Sequence, residues 1–88
     1  MELKEIRLSP NIDTNDLATK VNAARKFLEK GNKVKVTLRF RGREMSHMNQ
    51  SRYILDDFAK ELADIAVIDK PSKVEGRSLV MFLSAKKN

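Results

Sequence analysis

The segment KVKVTLRFR, residues 33 to 41, alternates without a break. Val34, Val36, Leu38 and Phe40 fall on one side of an extended chain, and Lys33, Lys35, Thr37, Arg39 and Arg41 on the other. A period of two over this length is the signature of a half-buried strand, with one face in a core and the other wet and positive. Any fold for this chain has to supply a sheet with those two unlike faces.

The remaining elements arrange themselves around that strand. KEIRLS alternates too, with Ile6 and Leu8 on one side and Glu5 and Arg7 on the other, and Pro10 ends it. Asp13 and Thr14 offer helix caps, and Leu17, Val21, Ala24 and Leu28 then recur at helical spacing until Gly31 supplies a stop. On this helix Asn22, Lys26 and Lys30 form a row opposite the apolar stripe, flanked by Lys20 and Arg25, so its outer face is basic. A second helix is expected from about Ser46 to Asp64, with Leu55, Phe58, Ala59 and Leu62 inward and Asp57, Glu61 and Asp64 outward. AVID reads as a short strand and KPSKVEGR as a turn. SLVMFLS reads as a strand apolar on both faces, which belongs inside a sheet, and AKKN as a frayed tail.

The order β-α-β-α-β-β implies an α+β fold of two layers. Right-handed crossovers advancing in one direction place both helices on one face of a four-stranded mixed sheet. A final hairpin that inserts the doubly apolar strand beside the second strand gives the strand order 1-2-4-3.

Eighty-eight residues, 41% of them hydrophobic, suffice for one small domain spanning 1–88. Cysteine is absent, which removes disulfides and thiolate metal sites. No apolar run has the length of a membrane span, and charge stands where a signal peptide needs an apolar stretch, so a soluble cytoplasmic protein with no membrane partner is expected. The net charge of +6 is unevenly spread. Residues 20–43 hold nine bases against one acid, and residues 44–69 hold two bases against six acids. A field with direction suits a polyanion bound on one face.

The residues for catalysis are missing. His47 is the only histidine, at a position that suits a structural or capping role, and no cysteine could share a metal with it, so a zinc site is not expected. Gly31, Gly42 and Gly76 are scattered turn residues rather than a phosphate-binding loop. Asp56 and Asp57 lie about 100° apart on a helix without an apolar pocket to separate their pKa values. Neither an enzyme nor a bound cofactor is expected.

What stands out is LRFRGRE, where Arg39, Arg41 and Arg43 occupy every second position. The planar guanidinium grips phosphate oxygens through paired hydrogen bonds, and Gly42 among them permits close backbone approach. Tyr53 alone offers an exposed aromatic surface. Contacts should therefore run through phosphates and sugars, which favours structured RNA over a single strand read base by base.

KEIRLSP at 4–10, ARKFLEKGNKVKVTLRFRGRE at 24–44, His47, and KVEGR at 73–77 together resemble the C-terminal domain of bacterial translation initiation factor 3. The resemblance covers nearly the whole chain, in order. It implies the same β-α-β-α-β-β fold and binding to the platform of the small ribosomal subunit through ribosomal RNA. It further implies blocking of premature large-subunit joining, and indirect action on the initiator tRNA at the start codon. The family's complete factor carries a further N-terminal domain and a lysine-rich linker, so the chain is expected to correspond to one domain and to act as a monomer. Carried over by position, the RNA contacts implied are Lys20 and Lys26 on the first helix, Arg41 and Arg43 in the loop, and Arg77 in the Glu-Gly-Arg turn. Lys30 and Arg39 join them on the same basic surfaces. Ser9, Asn22 and Asp57 stand where some relatives carry arginine.

Two alternatives belong to other classes. A generic structured-RNA-binding module lacks here the Gly-x-x-Gly loop of one common type and the aromatic sheet motif of another. A domain that docks an acidic protein would use the same charge but release few counterions on binding.

Overall fold

The computed structural model describes residues 2–86, the side chain of His47 excepted. The expectation for that side chain, and that for the last two residues of the tail, lie outside the described residues. The elements are β1 (Leu3–Leu8), α1 (Thr14–Glu29), β2 (Lys33–Arg39), two 3-10 segments (Gly42–His47 and Asn49–Ser51), α2 (Arg52–Glu61), β3 (Ala66–Glu75) and β4 (Ser78–Ala85). The sheet order is β1-β2-β4-β3, with β1 parallel to β2 and the other two pairings antiparallel. This is the α+β architecture expected from the sequence.

Local chemistry sets the ends of α1. The carboxylate of Asp13 accepts the backbone N–H of Asp16 at 2.8 Å and so caps an otherwise unpaired donor. At the other end Gly31 has φ +84°. There the N–H of Asn32 reaches the Phe27 carbonyl at 3.0 Å and that of Gly31 reaches Leu28 at 2.9 Å, the paired bonds of a left-handed helix stop.

One core lies between the helices and one sheet face. Ile6 and Leu8 of β1, Val34, Val36 and Leu38 of β2, and Leu79, Met81 and Leu83 of β4 meet Val21, Ala24 and Leu28 of α1 and Ile54, Leu55 and Phe58 of α2. β4 is apolar on both sides, as its central place requires. Val80 is only 3% exposed even though it shares the uncovered face with Phe82.

Three boundaries differ from the sequence reading. The expected long second helix is instead two 3-10 segments followed by a ten-residue α2. The N–H of Met48 bonds the Met45 carbonyl and that of Ser51 bonds Met48, both at 3.2 Å, so the inward positions 45, 48 and 51 repeat every three residues. That spacing matches a threefold helix as well as it matches one face of an α-helix.

The expected short strand and turn at 66–77 is instead the long edge strand β3, closed by a two-residue hairpin at Gly76 and Arg77. Pro71 is tolerated because only one edge of β3 is paired, and the register shifts on either side of Lys70 absorb its missing donor. Gly76 has φ +59° at the first hairpin position, where type II′ turns place glycine. Finally, β2 ends at Arg39, so Arg41 does not continue the strand but begins the first 3-10 segment.

Candidate nucleic-acid interface

The arginines after β2 sit on a turn made rigid by its own backbone. Arg41 remains extended at φ −81° and ψ 163°, and the next residues tighten into the 3-10 segment. The Glu44 carboxylate accepts the N–H of Arg41 at 2.8 Å, while the N–H of Glu44 donates to the Arg41 carbonyl at 2.8 Å. This reciprocal pair fixes the turn. The other oxygen of Glu44 accepts from Asn11 Nδ2 at 3.3 Å and ties the turn to the segment after β1.

An open cleft of about 1230 Å³ results, bounded by the segment after β1, the first turns of α1, the 3-10 turn and the β3–β4 hairpin. Lys20, Arg39, Arg41, Arg43 and Arg77 all line it. None of the five lies within ion-pair distance of a carboxylate among the described residues. The cleft also holds three acids, but two of them are engaged elsewhere: Asp13 caps α1 and Glu44 holds the turn. Asp16 stands in the first turn of α1, where a negative charge complements the helix dipole. The guanidiniums are thus left without local neutralisation, and they can each offer paired donors to an anionic ligand.

Five of the seven basic residues selected from the sequence meet in this cleft. Lys26 in the last turn of α1 and Lys30 at its C-cap are exposed but outside it. Lys30 is ten residues from Lys20, or about 15 Å along the helix. Arg7 lines the cleft without having been selected. Its outward position was legible in the alternation of KEIRLS, but its proximity to Arg39 and Arg77 depends on the parallel pairing of β1 with β2. Arg7 is ion-paired: its Nε donates to Glu5 at 2.8 Å, and Thr37 Oγ1 donates to the other oxygen of Glu5 at 3.1 Å. The hydrogen bond from Arg7 is the main reason that the Glu5 carboxyl titrates below its ordinary range.

Arg25 was expected on the basic flank of the first helix. It turns instead to α2, where its two terminal nitrogens donate to the Asp64 carboxylate at 2.9 and 3.3 Å and one also reaches the Glu61 carbonyl at 2.9 Å. This bond links α1 to the C-terminal end of α2 and the residues after it, and pairs one cation of the surface with a carboxylate. Tyr53 is 60% exposed on the outer side of α2, beside the exposed Asp56 and Asp57.

Among the described residues no group of three or more His, Asp or Glu side chains is placed to hold a metal, and no helix is long and apolar enough to cross a membrane.

A family model described as the C-terminal domain of translation initiation factor IF-3 matches residues 1–86. The translation initiation factor IF-3 of Clostridium perfringens is 48% identical over 87 residues, covering 99% of this chain and 49% of that protein. The factor of the same name from Mesorhizobium japonicum is 49% identical over 84 residues, covering 96% of this chain and 47% of that protein. The chain therefore spans about half the length of these curated relatives. With the fold, the order of motifs and nearly complete coverage in agreement, the chain belongs to the translation initiation factor IF-3 C-terminal domain family, a family of protein-synthesis factors and not of enzymes.

Proposed function

We propose that this domain binds the platform of the small ribosomal subunit through ribosomal RNA. In doing so it prevents premature association with the large subunit and supports selection of the initiator tRNA at the start codon. The observation that carries the reading is the cleft in which Lys20, Arg39, Arg41, Arg43 and Arg77 converge without carboxylate partners. Like charges held together raise the energy of the free domain, and a polyanion relieves that repulsion on binding. The acidic outer side of α2, with Asp56, Asp57 and Glu61, stays turned away from the RNA.

Occlusion is enough for the anti-association role. A domain that occupies RNA needed by the large subunit lowers the apparent joining constant by mass action, about 2.7 kcal/mol at a hundredfold excess over its dissociation constant. No bound cofactor enters. The domain acts as a cytoplasmic monomer, and the initiator tRNA is affected through the subunit rather than gripped directly.

Co-sedimentation with purified small and large subunits tests the binding, with retention on the small subunit alone as the expected result. Equal retention on both would remove the specific reading. Light scattering of mixed subunits tests the occlusion: association should fall as the domain is added, and full association with the small subunit saturated would refute it.

A further inference from the structure

Both helices cover the same face of the sheet, and the opposite face is open. A second, shallower cleft of about 360 Å³ lies on that open face, and Arg7, Arg39 and Arg77 line both clefts. The basic surface thus turns a corner at these three residues.

Strand register fixes which side chains share the open face, because residues directly opposed in a sheet point to the same side. One row across it runs Glu5, Lys35, Phe82, Lys70, and the next runs Arg7, Thr37, Val80, Lys73. The acids here are mostly engaged: Glu5 by Arg7 and Thr37, and Asp69 by Lys33 at 3.5 Å. Glu75 faces Ser78 at the rim. Lys35, Lys73 and Arg39 lie within ion-pair distance of no carboxylate among the described residues, and Lys70 Nζ stands 5.5 Å over the ring of Phe82.

We infer that the open sheet face binds the sugar-phosphate backbone of a second segment of the same structured RNA that fills the arginine cleft. This rests on the RNA-binding reading and extends it from the arginine cleft to the open sheet face. Charge and cover select the occupant. In these two rows Val80 is nearly sealed from water between Thr37 and Lys73, and Phe82 is half-buried beneath Lys70. A ligand therefore meets ammonium heads above aliphatic stems at the centre of the face, and the exposed apolar side chains on it, Leu3 and Val67, stand apart on the two outer strands. Protein interfaces are depleted in lysine and need an apolar centre, and base stacking needs an open ring. Phosphates need neither.

The test is the salt dependence of binding of the 88-residue chain to purified small subunits. The double variant Lys35→Gln, Lys73→Gln should keep its melting temperature and make the slope of log affinity against log salt shallower by about two units, one per lost phosphate contact. Lys35→Arg with Lys73→Arg should restore the slope. Lys60→Gln, an exposed charge on α2, should leave it unchanged. An unaltered slope in the Gln double variant, or an equal loss in Lys60→Gln, overturns the inference. So does loss of binding to polyglutamate with subunit affinity intact, which would assign the face to an acidic protein. Arg43→Ala with Arg77→Ala separates the two levels. If these arginine variants also leave the slope unchanged, the RNA-binding reading itself has failed; if only the lysine variant does, the sheet extension alone has failed.

Discussion

The backbone N–H of Phe40 donates to the carbonyl of Arg77 at 2.9 Å, joining the residue after β2 to the hairpin between β3 and β4. Arg39 and Arg41 flank Phe40 in sequence, so one main-chain bond sets the distance between those arginines and Arg77. Phe40 is 2% exposed and anchors the junction in the core. The backbone spacing of these arginines is therefore inherited from the sheet.

Arg43→Ala and Arg77→Ala should weaken small-subunit binding and each make its salt slope shallower by about one unit. Both side chains are exposed and unpaired, so stability should change by less than about 0.5 kcal/mol. Filter binding across a salt series, with a thermal melt of each variant, checks both halves. Unchanged affinity in the two variants would remove these residues from the site.

Leu38→Ala should behave in the opposite way. The side chain is fully buried in the core, and its truncation should cost about 2 to 5 kcal/mol. For a domain of this size that corresponds to a fall in melting temperature of at least about 8 °C. Subunit affinity measured well below the melting transition should stay close to that of the parent.

Gly76→Ala isolates a backbone effect. A Cβ there would meet nothing within 4 Å, so the expected loss comes from the positive φ alone. It should be about 1 kcal/mol, with Gly76→Asn losing less because asparagine enters the left-handed region more readily. Denaturant unfolding of the three proteins checks the order.

The Arg25–Asp64 bond predicts a pH dependence. The guanidinium hydrogen bond holds the Asp64 carboxyl below its ordinary value of 3.8. A carboxyl depressed in the folded state adds stability above its unfolded pKa, and that stability is lost as pH falls through the folded one. The difference in stability between the parent and Asp64→Asn should therefore be constant near neutrality and shrink as the pH drops below about 4. Acid titrations of both proteins followed by circular dichroism measure it. Parallel curves down to the acid limit would show that the bond contributes nothing to folding.

Much of the fold was legible because its signals are local. Alternation in 33–40 marked β2 and its core face, Asp13 and Gly31 marked the ends of α1, and a strand apolar on both sides could only be central. The segment at 42–51 misled because inward positions three apart fit an α-helix and a 3-10 helix alike, and only the hydrogen bonds of the folded chain choose between them. Pro71 and Lys73 read as a turn because proline is a local strand breaker, and only the register shifts on either side of Lys70 let the edge strand run on past it. The site divides along the same line. Arginine content and period at 39–43 are properties of the sequence. That Lys20 and Arg77 join them, that Lys26 and Lys30 lie elsewhere, that Arg25 is drawn to Asp64, and that Arg7 reaches the rim were all decided by tertiary structure. Each depends on which strands pair and where a helix docks, contacts between residues distant in sequence that no local pattern encodes.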